Sequence, residues 1–286
     1  MISQRDDTLP TGSTASSMPK CYAFKLGVIQ AQVALIAVFT IVYLIALSIF
    51  IRRIPRQEKA WIPLVISLVL AIVHAIINLV ATPIHYCSTQ TYAQEEKYWL
   101  ILFAAGCIHL WAVVFLVATI MISVCKRLTR NNRWMVILAS GYVGVYTILS
   151  IASTAIAIRT QIAENISSRV SLYGVTNSLA ITQAAIVAAG MSLAVLVMGV
   201  SMVKQAHFRR GAISIAIIVL MVSSLGYGIL QLVDIVTSIY GPIRRTSTLS
   251  LVYLALYRAF FIGCWLGAYY VVAILEKDPV YKSSNA

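Results

Sequence analysis

Residues 212–240 read AISIAIIVLMVSSLGYGILQLVDIVTSIY, and Asp234 is the single charged residue among them. The length and apolar character of this stretch suit a helix that crosses a hydrocarbon core of about 30 Å. Comparable stretches occur at residues 24–51, 61–86, 99–125, 134–158, 177–203 and 249–275. We therefore predict an all-α, polytopic membrane protein, a bundle of seven transmembrane helices numbered 1 to 7 in chain order.

The composition is that of a membrane protein, and the seven spans account for most of the chain. Of the 286 residues, 60% are hydrophobic and 11% are charged, and the mean hydropathy is +0.88. Soluble domains carry about 25% charged residues, which excludes a soluble protein. We divide the chain into a polar tail at residues 1–23, predicted to be disordered and lumenal, a seven-helix transmembrane domain at 24–275 and a short cytosolic tail at 276–286.

The positions of the basic residues predict the orientation of the bundle. Although the net charge is +13, Lys and Arg lie at the ends of the spans and not on one face, so we expect no nucleic-acid partner. Thirteen of them fall in the connections on the side of the C-terminus and eight on the side of the N-terminus. Cytosolic loops carry the excess of Lys and Arg, so we expect a cytosolic C-terminus and a lumenal or extracellular N-terminus, in the endoplasmic reticulum or the plasma membrane.

Two features on the N-terminal side agree with this orientation. Asn165-Ile166-Ser167 is a sequon for N-glycosylation, which predicts a glycoprotein modified at Asn165. Cys21 and Cys87 fall on the same oxidising side and could form a disulfide. Two unrelated thiols are an equal alternative for that pair.

Two charged residues, Asp234 and Arg258, lie deep within the spans. A rise of about 1.5 Å per residue puts Asp234 about 9 Å and Arg258 about 14 Å below the lumenal surface, so we expect them to meet. An ionisable residue at membrane depth normally faces the bundle interior and marks a functional site. A catalytic or ligand-binding pair and a structural clamp between helices 6 and 7 both remain open.

Other polar and aromatic side chains share this depth, which predicts a polar, aromatic-rimmed cavity in the lumenal half of the bundle. The catalytic candidates are Asp234, Arg258, His109 and His74. The substrate-binding candidates are Asn78, Gln231, Tyr227, Tyr253, Tyr257 and Trp265. Interhelical hydrogen bonding is the alternative interpretation of the His, Asn and Gln residues.

Several functional classes lack their signatures in this chain. A retinal protein needs a Schiff-base lysine in helix 7, and residues 249–275 contain none. Receptors that couple to G proteins typically carry an acidic-Arg-aromatic triplet after helix 3 and Asn-Pro-x-x-Tyr in helix 7, where this chain reads SVCKR at 123–127 and AYYVV at 268–272. We expect no metal and no other cofactor, because the Asp-Asp pair of the chain, Asp6-Asp7, lies in the polar tail.

In length, helix count and short loops the chain resembles the small seven-helix membrane proteins of fungal secondary metabolism, notably the membrane-bound terpene cyclases of meroterpenoid pathways. This architectural resemblance implies a metal-independent isomerase or lyase that cyclises a prenylated, epoxidised, lipophilic substrate by protonation, with Asp234 as the late intramembrane carboxylate. Such cyclases also use a carboxylate early in the chain, which is missing here: helix 2 offers His74 and Asn78, and Glu95 and Glu96 lie at the membrane edge before helix 3. The alternatives are a divergent receptor or a small-molecule transporter with a ligand pocket in the lumenal half.

Overall fold

The computed structural model describes residues 27–53, 61–87, 92–129, 133–162, 166–209, 211–240 and 247–277. These residues are almost entirely helical, and no strand occurs among them. Seven of their helices are long and apolar enough to cross a membrane. The prediction of an all-α, multi-pass membrane protein is thereby confirmed.

The seven spanning helices are labelled α1 to α7. Most of their ends lie within a few residues of the ends of the predicted spans. The helices are α1 Gly27–Arg53, α2 Ile62–Cys87, α3 Tyr92–Ala118, α4 Arg133–Ile162, α5 Ile166–Lys204, α6 Ala212–Tyr240 and α7 Ser247–Lys277. A π-helical segment, Thr119–Cys125, and a last turn, Lys126–Leu128, continue α3. The start of α5 precedes the predicted span at 177, because hydropathy detects the apolar part of a helix and not its polar extension.

The outer surface of the bundle is apolar. Ile41, Ile148, Leu196 and Ile215 expose 57%, 67%, 65% and 66% of their side chains on four different helices. Exposed aliphatic side chains at this density suit contact with lipid acyl chains, whereas in water they would favour aggregation. The helices therefore associate with the bilayer through these faces and with each other through the opposite ones.

The helices form a closed ring in chain order, in which each packs against the next and α7 packs against α1. The π-helical segment of α3 also contacts α4, α5 and α7, so this part of α3 runs through the middle of the bundle. Its residues Thr119, Ile120, Met121, Val124 and Cys125 are buried. Consequently α3 carries side chains to the bundle centre. We call the end where α1 begins the N-terminal end and the end where α7 finishes the C-terminal end.

The packing of α6 against α7 is close because glycines lie in the seam. A Cβ atom on Gly267 would be 2.9 Å from the Leu220 Cα atom, and one on Gly263 would overlap the Ser223 side chain. Small residues let helix backbones approach closely in a membrane, where packing and not hydrophobic burial drives association. The two contacts also set the antiparallel register of the two helices.

An aromatic cluster fills the C-terminal end of the bundle. Phe50 of α1 contacts Trp61, Trp265 and Tyr269 at centroid distances of 5.4, 5.6 and 5.5 Å. The Trp265 indole N–H donates to the Leu64 carbonyl at 3.0 Å and so ties α7 to α2. Aromatic side chains supply large packing areas, and these close the bundle at this end.

Candidate functional site

Two histidines are in contact at the centre of the bundle. The ring centroids of His74 on α2 and His109 on α3 are 4.6 Å apart, and the ring planes are tilted by 34°. His74 Nδ1 lies 2.8 Å from the carbonyl oxygen of Ala105 on α3. Because a carbonyl oxygen only accepts, His74 Nδ1 is protonated and donates. This bond holds the His74 ring against α3 in one orientation.

Asn78, one helical turn after His74, completes the surroundings of that ring. Its side-chain nitrogen donates to the His74 carbonyl oxygen at 2.9 Å. The same nitrogen lies 3.2 Å from His74 Nε2. His74 therefore has contacts at both ring nitrogens, which suits a residue that positions His109 and does not itself transfer a proton.

A hydrogen-bonded chain runs from His109 across α7 to α6. His109 Nε2 and the Tyr257 hydroxyl are 2.8 Å apart. The Tyr257 hydroxyl is also 2.8 Å from the Tyr227 hydroxyl. The phenolic oxygen of Tyr257 thus lies between two groups that can each donate or accept a proton, so a proton can move along this chain in either direction.

Aromatic rings pack around His109 and Tyr257. The Tyr227 and Tyr257 rings are 5.0 Å apart, and Phe261 lies 5.9 Å from Tyr227 and 5.7 Å from the His109 ring. Tyr253 stacks on Tyr257 at 6.0 Å, and its own hydroxyl donates to the Leu230 carbonyl at 3.0 Å. The site therefore combines a proton-transfer chain with ring faces that can stabilise a positive charge.

Four polar atoms beside this chain are buried and have no hydrogen-bond partner among the described residues. They are His109 Nδ1, the Tyr146 hydroxyl on α4, Gln231 Oε1 on α6 and Arg258 Nε on α7. Gln231 follows Tyr227 by one helical turn. Its side-chain oxygen therefore lies between the hydrogen-bonded chain and the N-terminal end of the bundle. Unpaired buried polar atoms are costly, and their grouping here makes this region the candidate functional site.

Asp234 lies beyond Gln231 on the same face of α6. Its side chain is half-buried, and its charge acts on the Tyr257 hydroxyl. The seam contacts of Gly263 with Ser223 and of Gly267 with Leu220 put Arg258 level with residues 228 and 229 of α6. The backbone of Asp234 is then about 8 Å nearer the N-terminal end than that of Arg258. The expected Asp234–Arg258 pair remains a prediction.

Arg258 is buried within the site. Only 6% of its side chain is exposed. Its guanidinium lies beside the hydroxyl of Tyr43 on α1, and its charge acts on His74, His109 and Tyr257. The structure thus brings Arg258 together with both predicted histidines and with Tyr257.

Trp265 is the predicted site residue that lies apart from this cluster. It follows Tyr257 by eight residues, which is about 12 Å along α7 toward the C-terminal end. There it is 1% exposed and belongs to the aromatic cluster with Phe50. Its packing and its bond to Leu64 account for it without a substrate. Asn165 and Cys21 lie outside the described residues, as does the side chain of Cys87.

The sequence pattern did not indicate Tyr43 or Phe261, two residues that the structure adds to the site. Tyr43 is 2% exposed and contacts Phe261 edge-on at 6.1 Å. Counted from Gly27, Tyr43 is about 24 Å along α1, well below the predicted polar layer. Estimating depth by counting residues assumes that all helices begin at the same level at the N-terminal end of the bundle. The first residue of α1 lies farther from the bundle centre than the first residue of α7 does. The depth rule therefore misses Tyr43.

Comparisons with known proteins do not identify a family for this chain. No protein-family model, no curated protein and no solved structure matches the chain. The functional interpretation accordingly rests on the residues of the site.

Proposed function

We propose that the protein is a membrane-embedded terpene cyclase that starts ring closure of a prenylated, epoxidised, lipophilic substrate by protonation. The observation that carries the proposal is the Tyr257 hydroxyl, which lies 2.8 Å from both His109 Nε2 and the Tyr227 hydroxyl. A phenol flanked in this way can give up a proton, because both neighbours can donate hydrogen bonds to the phenolate that remains.

The reaction needs no other reagent. Tyr257 transfers its hydroxyl proton to the epoxide oxygen, and the C–O bond breaks to leave a tertiary carbocation. The π electrons of a neighbouring alkene form the new C–C bond and move the positive charge along the chain. Loss of a proton from the final cation to the Tyr257 phenolate restores the enzyme. The sum is an isomerisation, in agreement with a metal-independent mechanism.

The surroundings of Tyr257 support this chemistry. The ring faces of Tyr227, Tyr253 and Phe261 lie around the hydroxyl and would stabilise a carbocation through cation–π interactions. A prenylated substrate would partition into the bilayer and could reach the site between helices. Water is scarce at this depth, which protects the cation from hydrolysis.

The proposal moves the acid from Asp234 to Tyr257. Asp234 lies about two helical turns from the level of Tyr227 on α6, whereas Tyr257 is hydrogen-bonded within the site. In this assignment the carboxylate of Asp234 acts on the Tyr257 hydroxyl through its charge. Asp234→Asn is then expected to lower turnover modestly, whereas an acid at Asp234 would make that variant inactive.

The proposed function is tested with microsomes that carry the full chain. They are incubated with an epoxidised prenyl-aromatic substrate, without added metal or diphosphate, and the products are analysed by mass spectrometry. We expect a cyclic isomer of unchanged mass that forms only when the chain is present. A ligand recovered unaltered after saturable binding would instead indicate a receptor, and substrate accumulated in sealed vesicles would indicate a transporter.

We also propose that the N-terminus is lumenal and the C-terminus cytosolic, in the endoplasmic reticulum or the plasma membrane. The excess of Lys and Arg on the C-terminal side supports this orientation. In sealed microsomes a C-terminal tag is expected to be digested by added protease, and Asn165→Gln is expected to remove a glycan from the wild-type chain. A protected C-terminal tag would reverse the orientation.

A further inference from the structure

Arg258 is a buried cation whose hydrogen bonding is incomplete. Its side chain is 94% buried, since 6% is exposed, and its Nε atom has no hydrogen-bond partner among the described residues. Arginine remains charged in proteins, so the positive charge persists in the middle of the bundle. A charge at this depth is expensive unless an opposite charge compensates it.

Among the described residues, the groups on which the charge of Arg258 acts carry no negative charge. They are the hydroxyls of Tyr43 and Tyr257 and the imidazoles of His74 and His109. A neutral hydroxyl can accept a hydrogen bond from the guanidinium, but it carries no formal charge. By the register of α6 and α7, the backbone of Asp234 lies about 8 Å from that of Arg258 along the helix axis.

A ligand can supply the missing negative charge. The planar guanidinium matches a carboxylate, which it can bind through two parallel hydrogen bonds. Arg258 Nε is available for one of these, and the Tyr43 hydroxyl beside the guanidinium can donate another. The charge of Arg258 acts on the Tyr257 hydroxyl, so the two groups are close together. A carboxylate on Arg258 would therefore hold the rest of a lipophilic molecule next to the Tyr257 hydroxyl.

We propose that Arg258, with Tyr43, binds the carboxylate head of a lipophilic acid in the centre of the bundle. This inference rests on the proposed function, which it deepens by naming the substrate class: an amphipathic acid whose apolar tail carries the reacting group. In that arrangement Arg258 is a binding and positioning residue, and the proton is supplied elsewhere in the site.

The test measures binding and not turnover. The purified full chain in a nonionic detergent is titrated with oleate, and with methyl oleate and oleyl alcohol as uncharged probes of equal length. We expect oleate to raise the thermal unfolding temperature and the two neutral lipids to leave it unchanged. Equal stabilisation by all three lipids would overturn the inference.

Variants locate the site. Arg258→Gln is expected to weaken oleate binding by a factor of about 30 or more, because a buried charge pair is lost. Lys204→Gln, which removes an exposed cation at the end of α5, is expected to bind oleate as the wild type does. Tyr43→Phe keeps the charge and the packing, and it should weaken binding severalfold even if Arg258→Gln folds poorly. Unchanged binding in both Tyr43→Phe and Arg258→Gln would contradict the inference.

A double variant tests the competing explanation that Asp234 is the counter-ion. If the two residues formed a buried pair, Asp234→Asn with Arg258→Gln would fold better than Arg258→Gln alone. The inference predicts no such rescue; rescue would overturn it and support the Asp234–Arg258 pair that the sequence predicts. Failure of this inference can be distinguished from failure of the proposed function. Turnover of a neutral substrate without oleate binding would contradict this inference alone. Oleate binding through Arg258 without turnover of any epoxyprenyl substrate would contradict the proposed function.

Discussion

Replacing Tyr257 by phenylalanine is expected to lower cyclase turnover by a factor of about 10² to 10⁴, the range that general acid–base catalysis contributes. The substitution removes one oxygen atom and keeps the ring that stacks on Tyr253 and contacts Tyr227. It also removes both hydrogen bonds at the centre of the chain. The rate of product formation, divided by the amount of folded protein, measures the effect.

Tyr253→Phe is the matched control for this prediction. It removes a hydroxyl one helical turn away that donates to the Leu230 carbonyl, and it also keeps the ring. We expect it to retain most of the turnover. Equal loss in both variants would show that any lost hydroxyl disturbs the bundle. Full activity in Tyr257→Phe together with an inactive Asp234→Asn would return the role of acid to Asp234.

The second large effect concerns folding and does not depend on any assigned activity. Gly267→Val is expected to prevent α6 and α7 from packing. Even a Cβ atom at position 267 would be 2.8 Å from the Leu220 Cβ and 2.9 Å from its Cα, and a backbone atom cannot rotate away as a side chain can. Overpacking typically costs about 1–3 kcal/mol, and this contact belongs at the upper end or above it.

Gly141→Val provides the control, because a Cβ atom on Gly141 of α4 meets nothing within 4 Å. Both substitutions place valine in a membrane-spanning helix, so differences in helix propensity cancel. Gel filtration of the detergent-solubilised protein and the unfolding temperature should show a loss of monodisperse, stable protein for Gly267→Val and near wild-type behaviour for Gly141→Val. Equal behaviour of the two variants would mean that the seam is looser than these distances imply.

The depth estimated from the sequence predicted some residues of the site and missed others. His74, His109 and Tyr257 were predicted to lie close together because polar side chains at one depth inside an apolar bundle tend to face each other, and they are in contact in the structure. Trp265 was placed with them because it shares helix 7, yet its distance along that helix puts it in the C-terminal aromatic cluster. Tyr43 was missed because apolar residues surround it in the sequence and α1 is offset along its axis.

The fold class and the number and approximate limits of the spans follow from the sequence by itself. Each span must satisfy its backbone hydrogen bonds internally in a bilayer, so a long apolar stretch has one outcome, a helix, wherever its neighbours lie. Only the tertiary structure decided which side chains meet. The glycine seam sets how α6 slides against α7, and the π-helical segment brings α3 to the centre. A slide of one helical turn moves a side chain by about 5.4 Å, which is enough to exchange one partner for another. The hydropathy of a span is the same before and after such a slide, so hydropathy cannot predict which side chains meet. The partners of Arg258 and Tyr257 are therefore known only from the packed helices.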